Sequence, residues 1–222
     1  MKFLILSLMT VLALSSCAAT KYIAKTDFNS ISDVAIVSPV TSIEFLDKKG
    51  NSSYDDSLSA ECARLITEAL GRSPLPTGSF VDIDFDSTGA ACREAVASFR
   101  NIQPKKAGET PVPHALDSLL EVNGKRYGIF VLAEGFTRDR GNYGKAVAMG
   151  LGLALVTTVA TMGMATAYSV PYKSATQVWM TVVDSENDKI VFYNSQSRED
   201  SEPAKEKHID ALISRMLKDF RK

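Results

Sequence analysis

Histidine and cysteine are scarce in this chain of 222 residues, with two of the first and three of the second. His114 and His208 have no cysteine or serine partner at a motif spacing, so both read as surface histidines. Cys62 and Cys92 are too widely separated for a zinc signature, and each lies in a stretch with helical patterning. An oxidising compartment would let them pair, but buried free thiols are the favoured state for cysteines on apolar helix faces. Gly-x-Ser-x-Gly nucleophile motifs and glycine-rich phosphate loops are missing. Charge of one sign is missing as well: 25 basic residues face 26 acidic ones, for a net charge of −1. Such a balance builds no long-range field for nucleic acid. These absences lead us to expect no catalytic residue, no metal and no nucleic-acid partner. One further absence is local, because residues 146–172 carry no charged side chain at all.

What the chain does have begins at residue 1. MKFLILSLMTVLALSSC places one cation, Lys2, before an apolar core from Phe3 to Leu14 and then small residues ending in cysteine, the pattern of a secretory signal. Leu14, Ser15, Ser16 and Cys17 resemble the lipobox of bacterial lipoproteins. That resemblance implies cleavage after residue 16 and a lipidated Cys17, with no cofactor beyond this covalent lipid. Its acyl chains would hold the protein on a membrane at about 0.8 kcal/mol per buried methylene. Ala18, with no acidic cluster after it, implies the outer membrane, facing the periplasm. Removing residues 1–16 leaves 24 basic and 26 acidic residues.

Residues 17–32 then read as a polar tether and 33–222 as one domain, for which 45% hydrophobic residues supply an adequate core. Val34 to Val37 is a continuous apolar run, as expected of a strand buried on both faces. Residues 41–56 read as a loop with a short hairpin. A helix is expected from Ser57, its apolar face carrying Leu58, Cys62, Leu65, Ile66, Ala69 and Leu70. Val81, Ile83 and Phe85 alternate with Asp82, Asp84 and Asp86, which predicts a half-buried strand over 80–86 with a solvated acidic face. A calcium loop is disfavoured there, because its last ligand position would be Ala95. Residues 88–101 predict a helix with Ala91, Ala95 and Phe99 inward, 103–113 a proline-rich loop, and His114 to Glu121 a short helix behind Pro113. The chain closes on an amphipathic helix from Pro203, with Ile209, Leu212, Ile213, Met216, Leu217 and Phe220 on one face.

YGIFVLAEG, from Tyr127 to Gly135, reads as an apolar central strand, and ATQVWMTVVDSENDKIVFYNSQ as a hairpin that turns at Asp184 to Asp188. The order of strand, insertion and hairpin resembles the lipoproteins built on the TolB amino-terminal type of domain, a group that includes the curli secretion channel subunit. The matching residues are Glu134 and Gly135, then Asp184, Lys189 and Ile190. The resemblance implies a mixed α+β (α/β) fold, a single mixed sheet flanked by helices. It also implies a role in envelope assembly, secretion or partner activation rather than catalysis.

The insertion, residues 141–173, holds the charge-free run. Its first ten residues alternate small with large rather than polar with apolar, so strands made from them would have no polar lumen face. On a helix, Ala146, Gly150 and Ala154 stand at the four-residue spacing that lets helices approach closely. A helix is therefore favoured over strands, and three environments stay open: packing on the domain or a neighbouring subunit, insertion in a membrane, or strands. Val147, Gly150, Leu151, Ala154, Leu155, Val159 and Met162 are the candidate residues for contact with a partner, a second copy or a membrane. The expected protein is thus a non-catalytic, lipid-anchored envelope protein with a protein partner or a homo-oligomeric state; a subunit of a secretion pore and, behind it, an envelope hydrolase are the alternatives.

Overall fold

The computed structural model describes residues 21–24, 31–73, 75–83, 87–145, 147 and 171–218. Its named elements are β1 (Lys21–Ile23), β2 (Val34–Val37), β3 (Val40–Leu46), β4 (Ser52–Tyr54), α1 (Asp56–Gly71), β5 (Thr77–Val81), α2 (Ser87–Ser98), α3 (His114–Val122), β6 (Tyr127–Arg138), β7 (Ser174–Asp184), β8 (Lys189–Glu199) and α4 (Glu206–Leu217). The strands form one mixed eight-stranded sheet in the order β1-β8-β7-β6-β2-β5, with β3 pairing to both β6 and β4. This is the single mixed sheet flanked by helices that the sequence predicts.

β6 is the hub. One of its edges pairs antiparallel with β7 over its length, from Tyr127 opposite Asp184 to Thr137 opposite Ser174. The other edge takes two partners in tandem: β2 in parallel at Gly128 and Ile129, then β3 in parallel from Leu132 to Arg138. Side chains of a strand point to alternate faces, so β6 feeds two cores. Ile129, Val131 and Ala133 pack with α1 and α4 on one face; Phe130 and Leu132 pack with α2 and α3 on the other. The result is three layers, helices on each side of the sheet.

Several expectations are corrected. Residues 21–23, expected to belong to a tether, pair antiparallel with β8, and Ile31 is buried in the core. Edge pairing supplies backbone hydrogen bonds that three residues show no pattern for. Over 41–56 the expected short hairpin is present, β3 pairing antiparallel with β4 from Glu44 to Leu46, but β3 is longer than expected and takes much of the loop; only Ile43 in it is fully buried, so its apolar signal is weak. α1 starts earlier than Ser57, because the Asp55 carboxylate accepts from the Leu58 amide at 2.9 Å and suits the helix dipole. β5 lies earlier than expected, at Thr77–Val81, since it follows its parallel partner β2; Phe80 is 54% exposed and residues 84–86 lie outside the described set. α2 turns Cys92 and Val96 inward with Phe99, while Ala91 is exposed and Ala95 half-buried; the larger side chains take the core. A 3₁₀ stretch, Pro104–Glu109, occupies part of the expected loop. β6 runs on past Gly135 to Arg138, held by β3. α4 begins at Glu206 with the expected buried stripe, and Phe220 lies outside the described residues. His114 is exposed, as expected, but His208 is half-buried and its Nδ1 accepts the Glu202 amide at 2.8 Å.

Cys62 and Cys92 are thiols outside any disulfide, buried in different cores with the sheet between them. Burial, helped by the charge of Glu61, pushes the Cys62 thiol up to about 12, so it is inert at neutral pH. The chain should therefore migrate identically with and without reductant, and should react with a thiol reagent at these two positions only after denaturation. Fast labelling of the folded protein at Cys62 would contradict this placement.

The β7–β8 turn is fixed by Asp184, which is 3% exposed and receives Arg126 Nε and Nη2 at 3.0 Å each and Asn187 Nδ2 at 2.8 Å. Burial alone would raise this carboxyl, but the bonds from Arg126 and Asn187 outweigh it and hold the pKa below 3.8. Its stabilising contribution is complete above the unfolded-state pKa and is lost as pH falls through the lower folded value. Asp184→Asn should cost roughly 1–3 kcal/mol at neutral pH, measured by urea unfolding. The difference between variant and parent should shrink on acidification below the usual aspartate range.

Candidate functional site

The insertion leaves the sheet at the end of the β6–β7 hairpin, where entry and exit strands lie side by side. Arg138 N–H donates to Lys173 O at 3.0 Å, and Asp139 N–H to Leu46 O at 2.9 Å. The chain then turns helical over residues 140–145. Asp139 caps this turn: its carboxylate accepts from the Gly141 amide at 2.7 Å and its carbonyl from the Tyr143 amide at 3.1 Å. Asn142, 8% exposed, accepts from Arg138 Nη1 at 2.9 Å. The Arg138 guanidinium also lies 5.2 Å from the ring centre of Phe136, a cation–π contact. Gly50, at φ +94°, lets the β3–β4 turn approach; a Cβ there would stand 3.3 Å from Asn142 Nδ2.

The exit is clamped as firmly. Lys173 N–H donates to Asp200 Oδ1 at 3.1 Å, and its ammonium lies 3.2 Å from Glu202. Glu202 also meets Lys205 at 2.9 Å; that bond, and the one from Lys173, hold its carboxyl below the ordinary glutamate range against partial burial. Thr176 Oγ1 donates to Ser201 O at 2.8 Å beneath them.

The motif residues have structural roles close by. Glu134 accepts from Arg100 at 2.8 Å, which ties α2's end to the sheet. Gly135 is required by crowding, since a Cβ would come within 2.5 Å of Ala175 O. Asp184 and Lys189 face each other across the hairpin turn. Asp82, read as part of an acidic face, accepts from the Ser38 hydroxyl and from the Ile83 amide at 2.9 Å.

Of the predicted contact residues, Val147 lies in helical backbone and is half-buried. Gly150, Leu151, Ala154, Leu155, Val159, Met162 and the lipidation residue Cys17 lie outside the described residues. Among the described residues no helix is long and apolar enough to cross a membrane, and no group of three or more His, Cys, Asp or Glu is placed to hold a metal.

A feature without a sequence signal is a groove of about 770 Å³ along the sheet edge. β5 pairs with Val34 to Val37 and β4 with Glu44 to Leu46, so among the described residues no strand lies beside Val40 and Thr41 on the edge of β3 away from β6. Exposed Phe80 and Tyr54 stand among its walls, with Ala60 and Ala63 of α1.

No protein-family model and no curated protein matches the chain. Among solved structures it is similar to the PelC dodecamer of Paraburkholderia phytofirmans, at 8% identity and a TM-score of 0.41 over 90% of this chain and 94% of that one. It is also similar to the LpoB C-terminal domain of Salmonella enterica, at 10% identity and a TM-score of 0.32 over 77% and 86%. A lipoprotein of Neisseria meningitidis aligns at 13% identity and a TM-score of 0.33 over 85% and 96%. None of the three reaches a TM-score of 0.5, and no residue role passes from them to this chain.

Asn142→Ala removes the acceptor for Arg138 at a nearly buried position. It should cost about 1–2 kcal/mol in urea unfolding and speed amide exchange over residues 140–145. Unchanged exchange there would remove Asn142 from the clamp.

Proposed function

We propose that this protein is a non-catalytic bacterial envelope lipoprotein of TolB-like kind, anchored in the outer membrane through lipid on Cys17 and facing the periplasm. It acts in assembly, secretion or partner binding, as a homo-oligomer or on a protein partner, through the insertion 141–173. One observation carries this reading: the central hairpin brings Arg138 and Lys173 side by side at one end of the sheet, and the sequence between them contains a charge-free run of 27 residues. An apolar run of that size exceeds what a protein leaves in water, and this reading assigns its cover to a partner, a second copy or a membrane rather than to the domain itself. The structural roles of Glu134, Gly135 and Asp184 support a scaffold rather than a reaction.

The test uses the mature chain with Cys17→Ala, with and without residues 146–170, leaving the clamped ends in place. Light scattering and crosslinking in intact envelopes should show self-association or partner capture that the deletion abolishes at unchanged thermal stability. Two monomers of equal solubility with identical crosslinks would reject the proposal. Palmitate labelling of the full chain should vanish in Cys17→Ala.

A further inference from the structure

The edge of the sheet formed by β2 and β3 on the side away from β6 is paired at both ends and open in the middle. Val37 of β2 lies opposite Val81 of β5, and the Ser38 N–H still donates to Val81 O at 2.9 Å. Further on, Glu44 to Leu46 pair with β4. Just before them Ile43 is closed by the start of α1: its carbonyl accepts the Asp55 amide at 2.9 Å, and its own amide donates to Ser59 Oγ at 3.0 Å. Both bonds turn the Ile43 N–H and C=O away from β6. The β3–β6 register runs without a shift, and along a strand successive residues direct these groups to opposite edges, so Thr41 also turns its N–H and C=O outward. Among the described residues nothing bonds either group; Thr41 is tied to α1 only through its hydroxyl, which donates to Ser59 O at 2.9 Å.

The opening faces residues 39–42, about 13 Å of extended strand, and the groove of about 770 Å³ lies against it. The Thr41 side chain points to the same face as Ile43, toward α1, where Ala60 and Ala63 present only methyl groups. Phe80, 54% exposed, and Tyr54, 56% exposed, stand near the β5 and β4 ends of the opening. The groove thus has a backbone donor and acceptor without partners along one wall, small residues on another and an aromatic ring toward each end. A lipid chain would fill its apolar part but strip water from the Thr41 N–H and C=O without replacing it. An extended polypeptide satisfies both groups and still places alternate side chains in the groove. We propose that this opening takes an extended segment of a partner polypeptide as an added strand, hydrogen-bonded to Thr41, with a large apolar side chain lodged between Phe80 and the two alanines of α1. This contact lies apart from the insertion and does not rest on the role assigned to it.

The test starts from the mature chain carrying Cys17→Ala. In the free protein the Thr41 amide should be at least about tenfold less protected from hydrogen exchange than the amides of Ser42 and Glu44, which face β6. Equal protection at the three positions would show the edge already closed and overturn the proposal. Heptapeptides selected on this chain from a random phage-displayed library, then synthesised, are the binding probe. They should share a large apolar residue, protect the Thr41 amide and lose about tenfold or more in affinity to Ala63→Trp, which fills the groove. N-methylation of the peptide backbone should abolish binding at alternate positions only, as pairing along one edge requires. A library that yields no binder, or binders indifferent to Ala63→Trp or to the position of the methyl group, would equally reject it. Phe80→Ser, at an exposed side chain, should weaken the same peptides at unchanged thermal unfolding, so a folding defect in Ala63→Trp does not decide the result.

Discussion

Backbone pairing along both edges of β6 is the constraint on which the remaining structure depends. Of its residues, Tyr127, Ile129, Val131 and Ala133 enter one core and Phe130 and Leu132 the other. Two glycines let its neighbours approach: a Cβ on Gly128 would strike Leu120 of α3 at 2.5 Å, and one on Gly135 would strike the β7 backbone. Because β7 follows β6 register for register, the ends of the hairpin emerge together. The position of the insertion is thus a consequence of the sheet rather than of the insertion's own residues.

That position also explains why polar groups gather there. A sheet that buries its centre on both faces leaves its ends to meet water, and the last pairs of β6 and β7 are polar or half-buried. Around them Arg138, Asn142, Asp200 and Glu202 fix the backbone, and Lys48, Lys49, Arg140 and Lys145 project outward.

Much of the fold was legible in the sequence where burial leaves a period. The stripe of α1, the stripe of α4, the apolar run of β2 and the β7–β8 hairpin all follow from spacing alone. The length of β3 and its pairing with β6 were not, because that partner lies far along the chain and only Ile43 marks a core side. β1 was not, since three edge residues carry no pattern, and β5 takes its register from β2 instead of from its own alternation. His208 looked like a surface residue, and only the return of the chain at Glu202 gives its ring nitrogen a donor.

Placing the insertion inside a hairpin has an entropic consequence. Zipping β6 to β7 requires closing the loop formed by residues 139–173, and closure cost grows only with the logarithm of loop length. Doubling that loop would cost about 0.6 kcal/mol, less than one good hydrogen bond at the clamp. The core therefore exerts almost no selection on how long the insertion is, provided the residues that seal its two ends are kept. Sequence change there is answerable to whatever the insertion touches, and the β6–β7 junction works as a socket whose contents can be exchanged while the sheet stays the same.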